Sequence, residues 1–209
     1  MAEIKCSTSK YTASNADFWN QCYVDHETGW DLGYASPPLV AYFEKFTCKN
    51  KSILIPGCGN AYEAEWLLQK GFKNITLIDI APHLVEALLK KFEKHIGKEL
   101  TLIAGDFFKH SGQYDFIIEQ TFFCALDPSM RTAYAQHMQR LLKPGGKLAG
   151  LLFDKQFENS PPFGGSREEY LELFNPLFHI SQMENCTTSA KPRLGSELFF
   201  ELTSKSNES

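Results

Sequence analysis

Short apolar runs alternate along the chain with stretches whose apolar residues recur at helical spacing. The runs fall near 52–55, 74–79, 100–103, 114–119 and 147–153, and two more near 178–185 and 197–203 close the series. Between them lie periodic segments. After Pro82, the residues Leu84, Val85, Leu88, Leu89 and Phe92 form one stripe of a helix, and Trp66, Leu67 and Leu68 mark another over 60–70 that Gly71 ends. Asp127-Pro128 opens a third helix, expected to run to Leu142, before Lys143-Pro144-Gly145-Gly146 turns the chain. A short helix is expected near 167–174, after a turn-rich loop over 158–165. Upstream, Ser14 or Asn15 can cap a helix over 17–24, and Ser36 followed by Pro37 is a helix start carrying Leu39, Val40, Phe43 and Phe46.

Strands alternating with helices predict a doubly wound α/β sheet, mostly parallel. The run 114–119 is apolar enough to be buried on both faces of such a sheet. Ligands of this architecture bind beyond the carboxyl ends of the strands, and Gly57, Asp79, Asp106 and Glu119 all stand at such ends. The first strand breaks at Pro56 into Gly57-Cys58-Gly59, where the lack of Cβ atoms permits a tight turn and close approach of a ligand. Asp79 stands twenty positions after Gly59, where a nucleotide-binding unit carries the acid that bonds ribose hydroxyls. Tyr62 occupies the place of the third glycine of a pyrophosphate-binding turn. The combination points to a nucleoside cofactor without a pyrophosphate. A plainer role is open to each residue: Asp79 and Asp106 as turn caps, Trp19 and Trp30 as core anchors, the phenylalanines as core.

Composition narrows the field. With 209 residues, 43% hydrophobic and 22% charged, the chain suits one domain over 1–209 with a polar tail at 204–209. A net charge of -4 gives no footprint for nucleic acid or anionic membrane, and no apolar run is long enough to span a bilayer. Six scattered cysteines and six histidines lack metal-ligand spacing, so no metal is expected and a reduced, cytoplasmic setting follows.

Several motifs fall in order: Phe18-Trp19, Gly29-Trp30-Asp31-Leu32-Gly33, Ile55-Pro56-Gly57-Cys58-Gly59, Gly105-Asp106-Phe107-Phe108, Thr121-Phe122-Phe123-Cys124-Ala125-Leu126-Asp127-Pro128 and Leu142-Lys143-Pro144-Gly145-Gly146. Over about 14–203 the chain resembles the thiopurine S-methyltransferase family, and most closely its thiol and halide methyltransferase branch. The resemblance implies S-adenosyl-L-methionine as cofactor, on a seven-stranded Rossmann-like sheet with an antiparallel last strand. It implies an aromatic lid within 1–35, with Trp19, Tyr23, Trp30 and Leu32 over the cofactor. Gly57 and Gly59 would approach the methionine part, Asp79 and Ile80 the ribose, and Asp106 and Phe107 the adenine. Glu119-Gln120 stand where the branch commonly has Asp-Tyr, and would meet the cofactor tail. Phe123, Phe163 and Arg193 would border a small-molecule methyl acceptor. The protein is expected to act as a monomer or weak dimer.

Methyl transfer from a sulfonium needs alignment more than acid or base chemistry, so no dedicated catalytic residue is expected. A thiol with pKa near 8.5 is only slightly ionised at neutral pH, so positive potential would help, and Arg193 is the candidate to supply it. Two alternatives compete: a nicotinamide-dependent oxidoreductase, disfavoured by the missing third glycine, and a non-catalytic cofactor-binding module.

Overall fold

The computed structural model describes residues 15–205. Seven strands form one sheet: β1 (Ile53–Pro56), β2 (Ile75–Asp79), β3 (Leu100–Ala104), β4 (Tyr114–Gln120), β5 (Leu142–Phe153), β6 (Phe178–Asn185) and β7 (Glu197–Ser204). Their order is β3-β2-β1-β4-β5-β7-β6, with β7 inserted antiparallel between β5 and β6 and the other pairings parallel. The expected architecture, including the antiparallel last strand, is the one observed.

Among the described residues six α-helices accompany the sheet: α1 (Ala16–Val24), α2 (Pro37–Phe43), α3 (Tyr62–Gln69), α4 (Pro82–Lys91), α5 (Arg131–Leu141) and α6 (Arg167–Phe174). Strand alternation divides the core into two layers, because successive side chains point to opposite faces. On β1, Ile53 and Ile55 pack with Leu67 of α3 and Leu84 and Leu88 of α4. Leu54, between them, packs with Tyr134 and Met138 of α5 and Phe174 of α6. All of β1 and β2 is buried, as expected of parallel strands covered on both sides.

Local chemistry explains most helix starts. Asn15 accepts from the Phe18 amide at 3.1 Å to cap α1, and Ser166 with Glu169 forms a reciprocal capping box at α6. Four expectations are corrected. Ser36 does not cap α2 with its side chain; instead its amide donates to Glu63 Oε1 at 2.9 Å. The helix after β1 starts at Tyr62 rather than residue 60, because the glycine turn runs on through Ala61, which has φ +54°. Pro128–Met130 is a separate 3₁₀ turn ahead of α5. Lys143-Pro144-Gly145-Gly146 is a bulge inside β5, not a turn before it: Tyr114 pairs with Leu142 and Phe116 with Lys147.

The sheet order reverses between β1 and β4, with β2 and β3 on one side and β5 to β7 on the other. Crossovers therefore diverge at the carboxyl ends of β1 and β4, and a crevice opens there.

Candidate active site

A cavity of 470 Å³ occupies that crevice, within the range of small-ligand sites. Its floor is the carboxyl rim of the sheet. Gly57 and Gly59 turn the chain after β1 with φ of +54° and +52°, in the left-handed region that favours glycine. A Cβ on Gly57 would stand 2.3 Å from the Phe122 ring, so a side chain there cannot coexist with the aromatic wall. Asp79, at the end of β2, accepts from the Gly59 amide at 3.2 Å and the Ala81 amide at 3.1 Å. Burial raises its pKa against these bonds, and each oxygen keeps acceptor capacity for a ligand hydroxyl. Asp106, after β3, accepts from the Phe108 amide at 2.9 Å and caps the turn that carries Phe107. The plainer capping role of both aspartates is thus real, and both also line the cavity. Gln120, at the end of β4, faces the same space with a buried Oε1 that has no hydrogen-bond partner among the described residues. An acceptor left so costs free energy unless a ligand donor meets it.

The roof comes from two distant segments. Trp19 and Tyr23 of α1 meet Trp30 edge-to-face at 5.5 and 5.8 Å, and Leu32 follows on the wall. Tyr23 Oη lies 3.4 Å from the place of a Cβ on Gly59, so this aromatic cover sits directly on the glycine turn. The second segment, Phe153 through Pro162, closes the opposite side.

Three ties hold the first segment down. Arg193 Nη2 donates to the Trp30 carbonyl at 2.6 Å. Asp31 Oδ2 accepts from Asn60 Nδ2 and from Tyr62 Oη, the latter at 3.2 Å. Glu63 takes the Ser36 amide.

Of the expected cofactor contacts, Trp19, Tyr23, Trp30, Leu32, Gly57, Gly59, Asp79, Ile80, Asp106, Phe107 and Gln120 line one cavity. Glu119 does not. It is fully buried beneath the floor, accepting from the Phe122 and Phe123 amides at 2.8 Å each and from Tyr134 Oη at 2.5 Å. Alternation along β4 turns it away from the crevice that Gln120 faces. Its loss of solvent pushes the carboxyl up to about 7. Two acceptor-side expectations also change. Phe123 is a core residue packed on Tyr134 and Tyr170 at 5.0 and 5.6 Å, because the 3₁₀ turn Phe123–Ala125 points it inward. Phe163 is off the cavity wall, its amide held by the Cys124 carbonyl at 2.6 Å. Arg193 does reach the wall, but it is buried and paired with Glu197 at 3.3 Å rather than free.

The structure adds wall residues that the sequence reading passed over: Asp31, Asn60, Tyr62, Glu63 and the stretch from Phe153 to Pro162. The last was detectable, since β5 ends on the same rim as β1, β2 and β4. The Asp31–Asn60 contact had no local signal.

Residues 14–202 match the profile of the family described as thiopurine S-methyltransferase (TPMT). The chain belongs to the thiopurine S-methyltransferase family. It is 32% identical over 184 residues to the probable thiol methyltransferase 2 of Arabidopsis thaliana, covering 86% of this chain and 81% of that one. It is 28% identical to the thiocyanate methyltransferase 1 of Brassica oleracea with the same coverage. Its fold superposes with a TM-score of 0.75 on the 1,6-didemethyltoxoflavin-N1-methyltransferase of Burkholderia thailandensis, at 17% identity over 98% of this chain and 95% of that one. As a member of the thiopurine S-methyltransferase family the chain is an S-adenosylmethionine-dependent methyltransferase. The cavity fits that cofactor. It offers buried acceptors in Asp79 and Gln120, a backbone cradle at Gly57 and Gly59, and an aromatic cover.

Proposed function

We propose that this methyltransferase acts on a small soft nucleophile, a thiol, thiopurine, halide or chalcogen compound, by in-line displacement without a dedicated base. The observation that carries this is the makeup of the wall. Among the described residues no histidine stands on it, and Asp31, Glu63, Asp79 and Asp106 each already accept hydrogen bonds from the protein, which leaves Glu158 as the single wall carboxylate without one. The cofactor supplies a methyl group already activated on a sulfonium. Asp79 would hold its ribose, Asp106 and Phe107 its adenine, and Gln120 Oε1 would accept from its ammonium group. The aromatic roof excludes water and fixes the approach of the acceptor, and alignment of this kind lowers a barrier by roughly 7–11 kcal/mol.

The two thiols in the wall remain protonated. Burial pushes Cys124 up to about 12 and raises Cys58 well above the ordinary range, so neither competes as a nucleophile. Relatives named for thiol and thiocyanate methylation support the class of acceptor. We take 1–209 as one catalytic domain working in the cytoplasm as a monomer or weak dimer, with no nucleic-acid partner. Among the described residues no helix is long and apolar enough to cross a membrane.

The test is an acceptor screen with S-adenosylmethionine, reading S-adenosylhomocysteine and the methylated product. Transfer to thiols, thiocyanate, iodide or selenides is expected, while transfer to nitrogen or oxygen acceptors alone would overturn the assignment. Glu63→Gln and Glu158→Gln should each keep substantial turnover; abolished turnover with cofactor binding intact would reveal a base.

A further inference from the structure

We propose that Lys155, rather than Arg193, is the cation that positions an anionic acceptor. The proposal rests on the acceptor class given above and adds the residue that selects within it.

Two cations stand on the cavity wall away from the floor carboxylates, and they are not equivalent. Arg193 is spent. One end of its guanidinium pairs with the buried Glu197 at 3.3 Å, and the other donates to the Trp30 carbonyl at 2.6 Å. A charge neutralised by a buried partner and engaged in holding the roof has little field left for a ligand. Lys155 has no carboxylate partner among the described residues; its Nζ lies over the Phe157 ring at 4.5 Å from the centroid. Phe157 in turn meets Phe153 edge-to-face at 5.0 Å, and all three line the cavity. The outcome is a soft, apolar corner carrying one positive charge that has no salt-bridge partner among the described residues, suited to a polarisable anion such as a thiolate or thiocyanate.

The backbone of Lys155 is held in place. Its carbonyl accepts from the Gly165 amide at 3.1 Å, and a Cβ on Gly164 would fall 1.9 Å from the same oxygen. Only glycine permits that close approach, so the strand end is clamped and the lysine projects from a fixed point.

The experiment compares wild type with Lys155→Gln, Lys155→Arg and the distant surface control Lys73→Gln. Steady-state kinetics use thiocyanate as the anionic acceptor and a neutral selenoether as the uncharged one. Calorimetry measures thiocyanate binding to the S-adenosylhomocysteine-saturated protein, independently of turnover. Lys155→Gln should raise KM and Kd for thiocyanate about ten- to a hundredfold, the worth of one hydrogen bond to a charged group. The neutral acceptor and S-adenosylhomocysteine affinity should hardly change, Lys155→Arg should restore most of the loss, and Lys73→Gln should match wild type. Equal losses for both acceptors, a loss confined to the cofactor, or unchanged thiocyanate binding in Lys155→Gln would each overturn the proposal. A wild type that binds thiocyanate through Lys155 yet transfers no methyl to soft nucleophiles would instead overturn the assigned activity and leave this inference standing.

Discussion

The floor and the roof of the cavity are built by different means. The floor is backbone: strand ends, two left-handed glycines and aspartates locked by amides at 2.9–3.2 Å. Its geometry follows from sheet register and cannot be altered without disturbing the core. The roof is side chains reaching across the molecule, with Trp30 tied to Arg193 and Asp31 tied to Asn60 and Tyr62. A floor of the first kind suits a cofactor that never changes. A roof of the second kind can vary its acceptor with few substitutions, because loops on a rigid scaffold are free to differ.

Four substitutions test this contrast. The largest effect is expected in the floor. Asp79→Ala removes the two acceptors proposed for the ribose and should weaken S-adenosylhomocysteine binding on the order of a thousandfold, about two hydrogen bonds to a charged group. Titration calorimetry reads this, and a retained fold by circular dichroism separates it from unfolding.

Arg193→Met comes next, on the roof. It strands Glu197 in the core, where breaking a buried pair costs roughly 3–5 kcal/mol, and it releases Trp30. Denaturant unfolding should show the loss. Adding Glu197→Met should recover stability but not acceptor affinity, since the tie to Trp30 stays broken; full recovery of both would show that the roof does not depend on that tie.

Glu119 sharpens the boundary beneath the floor. The folded state holds its proton up to about pH 7, against an ordinary carboxyl pKa near 4.5 in the unfolded chain. Its contribution to stability is therefore fully present below about pH 4.5 and is lost as pH rises through about 7. The span of that loss is on the order of 3 kcal/mol. Glu119→Gln should flatten this part of the stability–pH curve while leaving cofactor affinity near wild type. A large loss of cofactor binding would return Glu119 to the site.

The smallest effect belongs to Asn60→Ala. It removes one partly exposed tie and should reduce kcat/KM several-fold, the equivalent of about 1 kcal/mol. No change in kcat/KM would mean that the Asp31–Asn60 tie does not help to hold the roof in place.

The sequence by itself determined the doubly wound, mostly parallel sheet and brought out most of the residues that line the floor of the cavity. Apolar periodicity reports burial, and glycine and aspartate at strand ends report a backbone that a ligand must approach. Asp79 could be tied to Gly59 from spacing alone, because parallel neighbouring strands bring their ends together. Glu119 and Phe123 leave the wall for different reasons: alternation within β4 turns Glu119 away from the crevice, whereas the direction of Phe123 is set by the 3₁₀ turn that follows the strand. Only the tertiary structure decided that Arg193 is paired with Glu197, that Lys155 has no carboxylate partner among the described residues, and that Asp31 meets Asn60. Asp31 and Asn60 lie far apart along the chain, and whether a charge is free or neutralised depends on what packing sets beside it.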